Sequence, residues 1–137
     1  MRRILSTTGL LVFVLLMTVL LTAAAPMPVT TFTLVAGLPA TMTVGESYTV
    51  VVDVTSDQVF NSAQVLPDLQ FPGKGVVAKG GDHAGRGMTA RLEVTFTAKT
   101  STAKMPNGVA PVAVVVGVRY GGGYVAVQRY EFNVKVP

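Results

Sequence analysis

The chain has 137 residues, half of them apolar and 13% charged, with a formal net charge of +4; that length suits one domain with a modest core. The absence of cysteine excludes disulfides, thiolate catalysis, cysteine-ligated zinc, iron–sulfur clusters and a lipid-modified N-terminal cysteine. With Arg2 and Arg3 set apart in the leader, nine basic side chains face seven acidic ones, a balance too even to imply nucleic acid or an anionic surface as partner.

Residues 1–25 read as a hydrophobic leader helix. Arg2 and Arg3 form a short basic region, Leu10 to Leu21 is an apolar run, and Thr22-Ala23-Ala24-Ala25 is the small-residue end of a secretory signal. Cleavage after Ala24 puts Thr22 and Ala24 at the small-residue positions. The same segment is also readable as an uncleaved anchor, since Gly9 to Ala25 gives 17 residues, the short end of what spans a bilayer. Both readings place residues 26–137, a single β-domain, outside the cytoplasm, secreted or held in the cell envelope.

Val and Thr are stiff at χ1 and suit a pleated surface, so their abundance beyond the leader predicts an all-β domain. Thr30 to Ala36 is the first predicted strand, broken by Gly37-Leu38-Pro39, with a short continuation over Thr41 to Val44. Ser47 to Thr55 alternates, with Tyr48, Val50, Val52 and Val54 inward and Val51 as the exception; Ser56-Asp57 is read as its closing turn. Val59 to Leu66 is a strand interrupted at Asn61-Ser62 and ended by Pro67-Asp68. Val76 to Lys79 is a short strand. Gly80 to Gly87, with four glycines in eight residues, reads as a loop.

Met88 to Lys99 carries the strongest pattern. Met88, Ala90, Leu92, Val94, Phe96 and Ala98 fall on one side, and Thr89, Arg91, Glu93, Thr95, Thr97 and Lys99 on the other. Successive side chains of a strand point to opposite faces, so this strand has one dry face that a second layer must cover. Pro106-Asn107-Gly108 signals a turn. Val109 to Tyr120 is nearly continuously apolar, which predicts a strand covered in part on both sides. Gly121-Gly122-Gly123 makes a hairpin, and Tyr124 to Val136 is the last strand. Its apolar residues change phase, from Val125 and Val127 to Tyr130, Phe132, Val134 and Val136, which predicts a bulge or a change of partner near Gln128-Arg129.

About seven short strands with Gly and Pro turns predict a two-layer antiparallel sandwich. Gly37-Leu38-Pro39-Ala40 followed by Val44-Gly45-Glu46-Ser47-Tyr48-Thr49-Val50-Val51-Val52-Asp53-Val54-Thr55 resembles the bacterial immunoglobulin-like domains of surface and secreted proteins, in which a Val-Gly-Glu turn leads into a Val/Thr-rich second strand. The resemblance implies an immunoglobulin-like sandwich that works in adhesion, spacing or subunit contact without catalysis. The cysteine pair and tryptophan of antibody-type domains are missing, and no tyrosine-corner motif precedes the penultimate strand.

Two surfaces are candidates for contact with a protein or glycan partner at the cell surface. One is the hairpin tip, where Tyr120 and Tyr124 flank the glycines and Arg119 and Arg129 lie near. The other is the glycine-rich loop bracketed by Lys74, Lys79, Arg86 and Arg91. A retained leader would make the domain a subunit of a membrane complex. The alternative function is a small-ligand or copper carrier centred on His83, the one histidine, with Asp82, Met88 and Met105 as further donors. No Gly-x-Ser-x-Gly motif, calcium-loop spacing or phosphate-loop ending occurs, so the expectation is a non-enzymatic module with no cofactor and no resident metal.

Overall fold

A computed structural model describes residues 26–137, so the leader lies outside the described residues. Eight strands follow in order: β1 (Thr30–Ala36), β2 (Ser47–Phe60), β3 (Ser62–Leu69), β4 (Val76–Ala78), β5 (Asp82–Ala84), β6 (Gly87–Ala98), β7 (Ala110–Arg119) and β8 (Val125–Val134). They form two four-stranded sheets, β1-β2-β6-β4 and β5-β3-β7-β8, with antiparallel neighbours throughout. Among the described residues no helix is long and apolar enough to cross a membrane.

The core follows from the alternation. Val50, Val52 and Val54 of β2 and Leu92, Val94 and Phe96 of β6 are buried from the first sheet, and Val65 of β3 with Val112, Val114, Val116 and Val118 of β7 from the second. Each fully buried Val, Leu or Phe contributes about 1.5–3 kcal/mol relative to exposure, and stiff Val side chains lose little further freedom on packing. Tyr48 and Met88, expected inward, lie half out at the strand ends, where the second layer no longer covers them. Ala113 is buried on the outward side of β7 beside the Arg129–Asp68 bridge that spans this strand, which accounts for its nearly continuous apolar run.

Several boundaries differ from expectation, each for a physical reason. Ser56-Asp57 is not a turn, because β2 runs on to Phe60. Asp57 is held by Val29, just ahead of β1, accepting from Val29 N at 2.8 Å and donating to Val29 O at 3.2 Å, and Phe60 anchors the strand end in the core. Asn61 alone separates β2 from β3, and the chain changes sheet there. Pro67-Asp68 lies inside β3. Beyond Val65 no strand flanks β3 on the β5 side, so a proline facing that open edge removes no ladder bond. The glycine-rich segment contains β5, paired to β3 over Asp82–Ala84.

The segment after Gly37-Leu38-Pro39 does not continue β1 but crosses to the second sheet. Thr41 bridges Lys135 in parallel, and Met42 enters the core. Gly45 makes the following turn with φ +94, a left-handed conformation that glycine adopts without strain. The bulge expected at Gln128-Arg129 is absent. The β7–β8 register is unbroken from Ala110↔Val134 to Arg119↔Val125. The phase change has another cause: Val125 and Val127 face solvent.

Candidate functional surface

The outward face of the β5-β3-β7-β8 sheet is assembled by register. Ser62, Arg119 and Val125 form one row across three strands. His83, Gln64, Gly117 and Val127 form the next, and Leu66, Val115 and Arg129 the third. Leu66, Val125 and Val127 remain 51%, 47% and 60% exposed. Gly117 forms the floor of a shallow groove, and a Cβ there would meet nothing within 4 Å. The groove continues past Ser62 and Arg119 to a second hollow at the hairpin tip, lined by Asn61, Gly123 and Tyr124. Arg119 is exposed and makes no salt bridge to any described residue.

The expected tip residues separate into two roles. Tyr120 belongs to the core end. It packs edge-on against Phe60 at 6.5 Å, donates its hydroxyl to Ser56 Oγ at 2.7 Å, and shares a hydrogen bond with the Thr30 hydroxyl. It thereby ties the hairpin of the second sheet to β1 and β2 of the first. Tyr124, half-buried with its ring centre 5.7 Å from that of Tyr120, and the exposed Arg119 line the hollow, and Tyr120 borders it from its place at the core end. Arg129 bridges Asp68 at 2.7 Å and Glu131 at 2.9 Å. The hydrogen bonds it donates to Glu131 and Asp68 hold its guanidinium pKa above the ordinary value.

The basic residues of the other candidate surface are dispersed. β4, just after Lys74, pairs with the last residues of β6, whereas Arg86 precedes Gly87 at its start. At ~3.3 Å per residue the ends of this strand lie about 35 Å apart. Arg91, within β6 itself, faces outward and is locked onto Asp53 of β2 through two bonds of 2.7 and 2.9 Å. The hydrogen bond from Arg91 lowers the Asp53 pKa. Lys79 is exposed beyond β4. These four cations therefore make no common patch.

His83 is exposed opposite Gln64. Asp82 does not orient its ring: its carboxylate accepts from His83 N at 2.9 Å and from Glu93 N at 3.0 Å, tying β5 to β6. Met88 is the second residue of β6, and Met105 packs against Gly75 beyond the other end. Among the described residues no group of three His, Cys, Asp or Glu side chains converges to hold a metal ion. The imagined copper donors are thus not brought together.

Sequence reasoning missed the aliphatic members of this surface. Its signals were present as the off-phase Val125 and Val127 and the lone Gly117 within an apolar run.

The sequence matches no protein-family profile and no curated protein. Among solved structures the chain is similar to murine CRIg, with a TM-score of 0.44 at 7% identity over 82% of this chain and 99% of that one.

Proposed function

We propose that the protein is an exported, non-enzymatic immunoglobulin-like module of the cell envelope that acts by protein contact through the outward face of its second sheet. The strand orders support the immunoglobulin-like reading. In that plan one sheet holds the first, second, fifth and fourth strands, and the other the third, sixth and seventh. Here β1-β2-β6-β4 corresponds to the former and β3-β7-β8 to the latter, with β5 added at the edge. Export rests on the basic, apolar and small-residue pattern of residues 1–25.

The observation that carries the binding reading is the exposure of Leu66, Val125 and Val127 around the Gly117 groove, next to Arg119. A contiguous apolar patch rimmed by polar side chains is the usual mark of a protein-contact surface. Protein is favoured over glycan because the patch is aliphatic, and the aromatics of the adjoining hollow, Tyr120 and Tyr124, are buried and half-buried against each other. The test is photocrosslinking of the full chain in its native host, with a photoreactive residue at Gln64 or, on the opposite face, at Thr95. Adducts should form from Gln64, be suppressed by Gly117→Gln, and be absent from Thr95. Equal adducts from both faces, or none from Gln64, would refute the assignment.

A further inference from the structure

We propose that the protein pairs with a second copy of itself along the outer edge of β8, antiparallel, with Arg129 on the two-fold axis. The inference concerns the strand edge rather than the sheet face and stands without the binding reading above. Lys135 donates its N–H to Ala40 O and accepts from Met42 N, both at 2.9 Å, so its peptide groups point away from β7. Along an unbroken strand the same direction recurs at every second residue. Asn133, Glu131, Arg129, Val127 and Val125 therefore turn their N–H and C=O groups outward. Among the described residues no strand pairs with them, and the only plug is the Gln128 side-chain amide on Arg129 O at 3.2 Å.

The other edges are short or bent. β4 and β5 have three residues each, and β1 breaks register between Leu34 and Ala36. Natural edges are guarded by prolines, bulges, charged side chains (lysine above all) or a covering segment. The β8 edge has no proline and no bulge, its lysine, Lys135, already lies under the 40–42 crossing, and its other charges, Arg129 and Glu131, are paired with each other. Pairing about Arg129 sets Val125 opposite Asn133 and Val127 opposite Glu131, so the open stretch of one copy matches that of the other from end to end. Centring on Tyr130 instead would drive Val125 into the crossing of the other copy. Full overlap forms about ten hydrogen bonds, two for each outward residue pair.

Arg129 meets its own copy on the axis, yet each guanidinium is already held by Asp68 and Glu131 and stands diagonal to the other copy's Glu131. The product is one continuous eight-stranded sheet whose two outward faces lie side by side.

Because the chain has no cysteine, an introduced one reports only its own contacts. The full chain in mild detergent is oxidised as Arg129→Cys, as Asn133→Cys alone, and as an equal mixture of Val125→Cys and Asn133→Cys chains. Arg129→Cys places two sulfurs within disulfide reach and should dimerise at least about tenfold more than the opposite-face control Thr95→Cys. Asn133→Cys alone, about 27 Å from its counterpart, should stay at the control level, while the mixture should crosslink. Glu131→Pro, added to the mixture, deletes an outward N–H that β7 does not use and should abolish the crosslink while circular dichroism stays native. Crosslinking of both Arg129→Cys and the mixture at the Thr95→Cys level, or a mixture crosslink undiminished by Glu131→Pro, overturns the proposal.

Discussion

Thr102 is the fully buried polar side chain among the described residues. Its hydroxyl donates to Gly108 O at 2.7 Å and accepts from Val136 N at 2.9 Å, while its own N–H reaches Val136 O. One residue thus fastens the β6–β7 connection to the C-terminal end of the chain. Thr102→Val keeps the shape but leaves Val136 N and Gly108 O unpaired, and should cost about 1–3 kcal/mol in urea unfolding, with Thr102→Ser recovering most of it. Tyr120→Phe removes the bonds to Ser56 and Thr30 while keeping the contact with Phe60, and should cost about 1 kcal/mol. If Tyr120 instead met a partner, the loss would be in binding rather than in the unfolding midpoint. Asp53 is depressed chiefly by its hydrogen bond from Arg91. Its stabilisation is therefore present above the unfolded aspartate pKa and lost as pH falls through the lower folded value. The difference in stability between wild type and Arg91→Ala should shrink as pH falls below about 4, and NMR titration should move Asp53 upward in the variant. The pair is solvent-exposed, so salt should weaken the effect.

At the level of elements, the strands were legible where one face is dry and the other wet. β6 from Leu92 onward and the middle of β2 keep the predicted inward residues, since alternation is a local property of a strand with a single covered face. Boundaries set by long-range partners were not legible. Nothing near Asp57 announces that Val29 will bind it, and nothing near Pro67 announces that its nitrogen will face an open edge. β5 was hidden by its glycines. Gly81 lets the strand approach β3 so closely that a Cβ would collide with the Val65 carbonyl oxygen. Gly81→Ala should therefore push β5 from β3 and destabilise the domain by about 1–3 kcal/mol, with hydrogen exchange rising first at Asp82–Ala84.

For the molecule as a whole, the outward face of the second sheet carries aliphatic side chains that the fold does not need. Substituting exposed residues away from core contacts changes stability by no more than about 0.5 kcal/mol. Leu66→Asp with Val127→Asp should accordingly leave the thermal midpoint nearly unchanged while abolishing the photocrosslinked adduct from Gln64. A midpoint that collapsed would make these residues part of the core instead. The candidate surface was half visible from the sequence: Arg119 and Tyr124 were read from the hairpin, whereas Leu66, Val115 and Val127 lie on three strands joined only by pairing.

Composition and alternation by themselves determined an all-β domain beyond the leader with a Val-rich two-layer core, because burial of one strand face depends on residues two apart. They also marked the leader pattern and excluded cysteine chemistry. Only the tertiary structure decided which strands share a sheet, that residues 40–42 cross to the second sheet, that Tyr120 is core and that four cations stand apart. The same off-phase valines that suggest a bulge in one dimension become an exposed patch in three. Register, unlike alternation, is fixed by partners distant in sequence, and it alone determines which side chains meet.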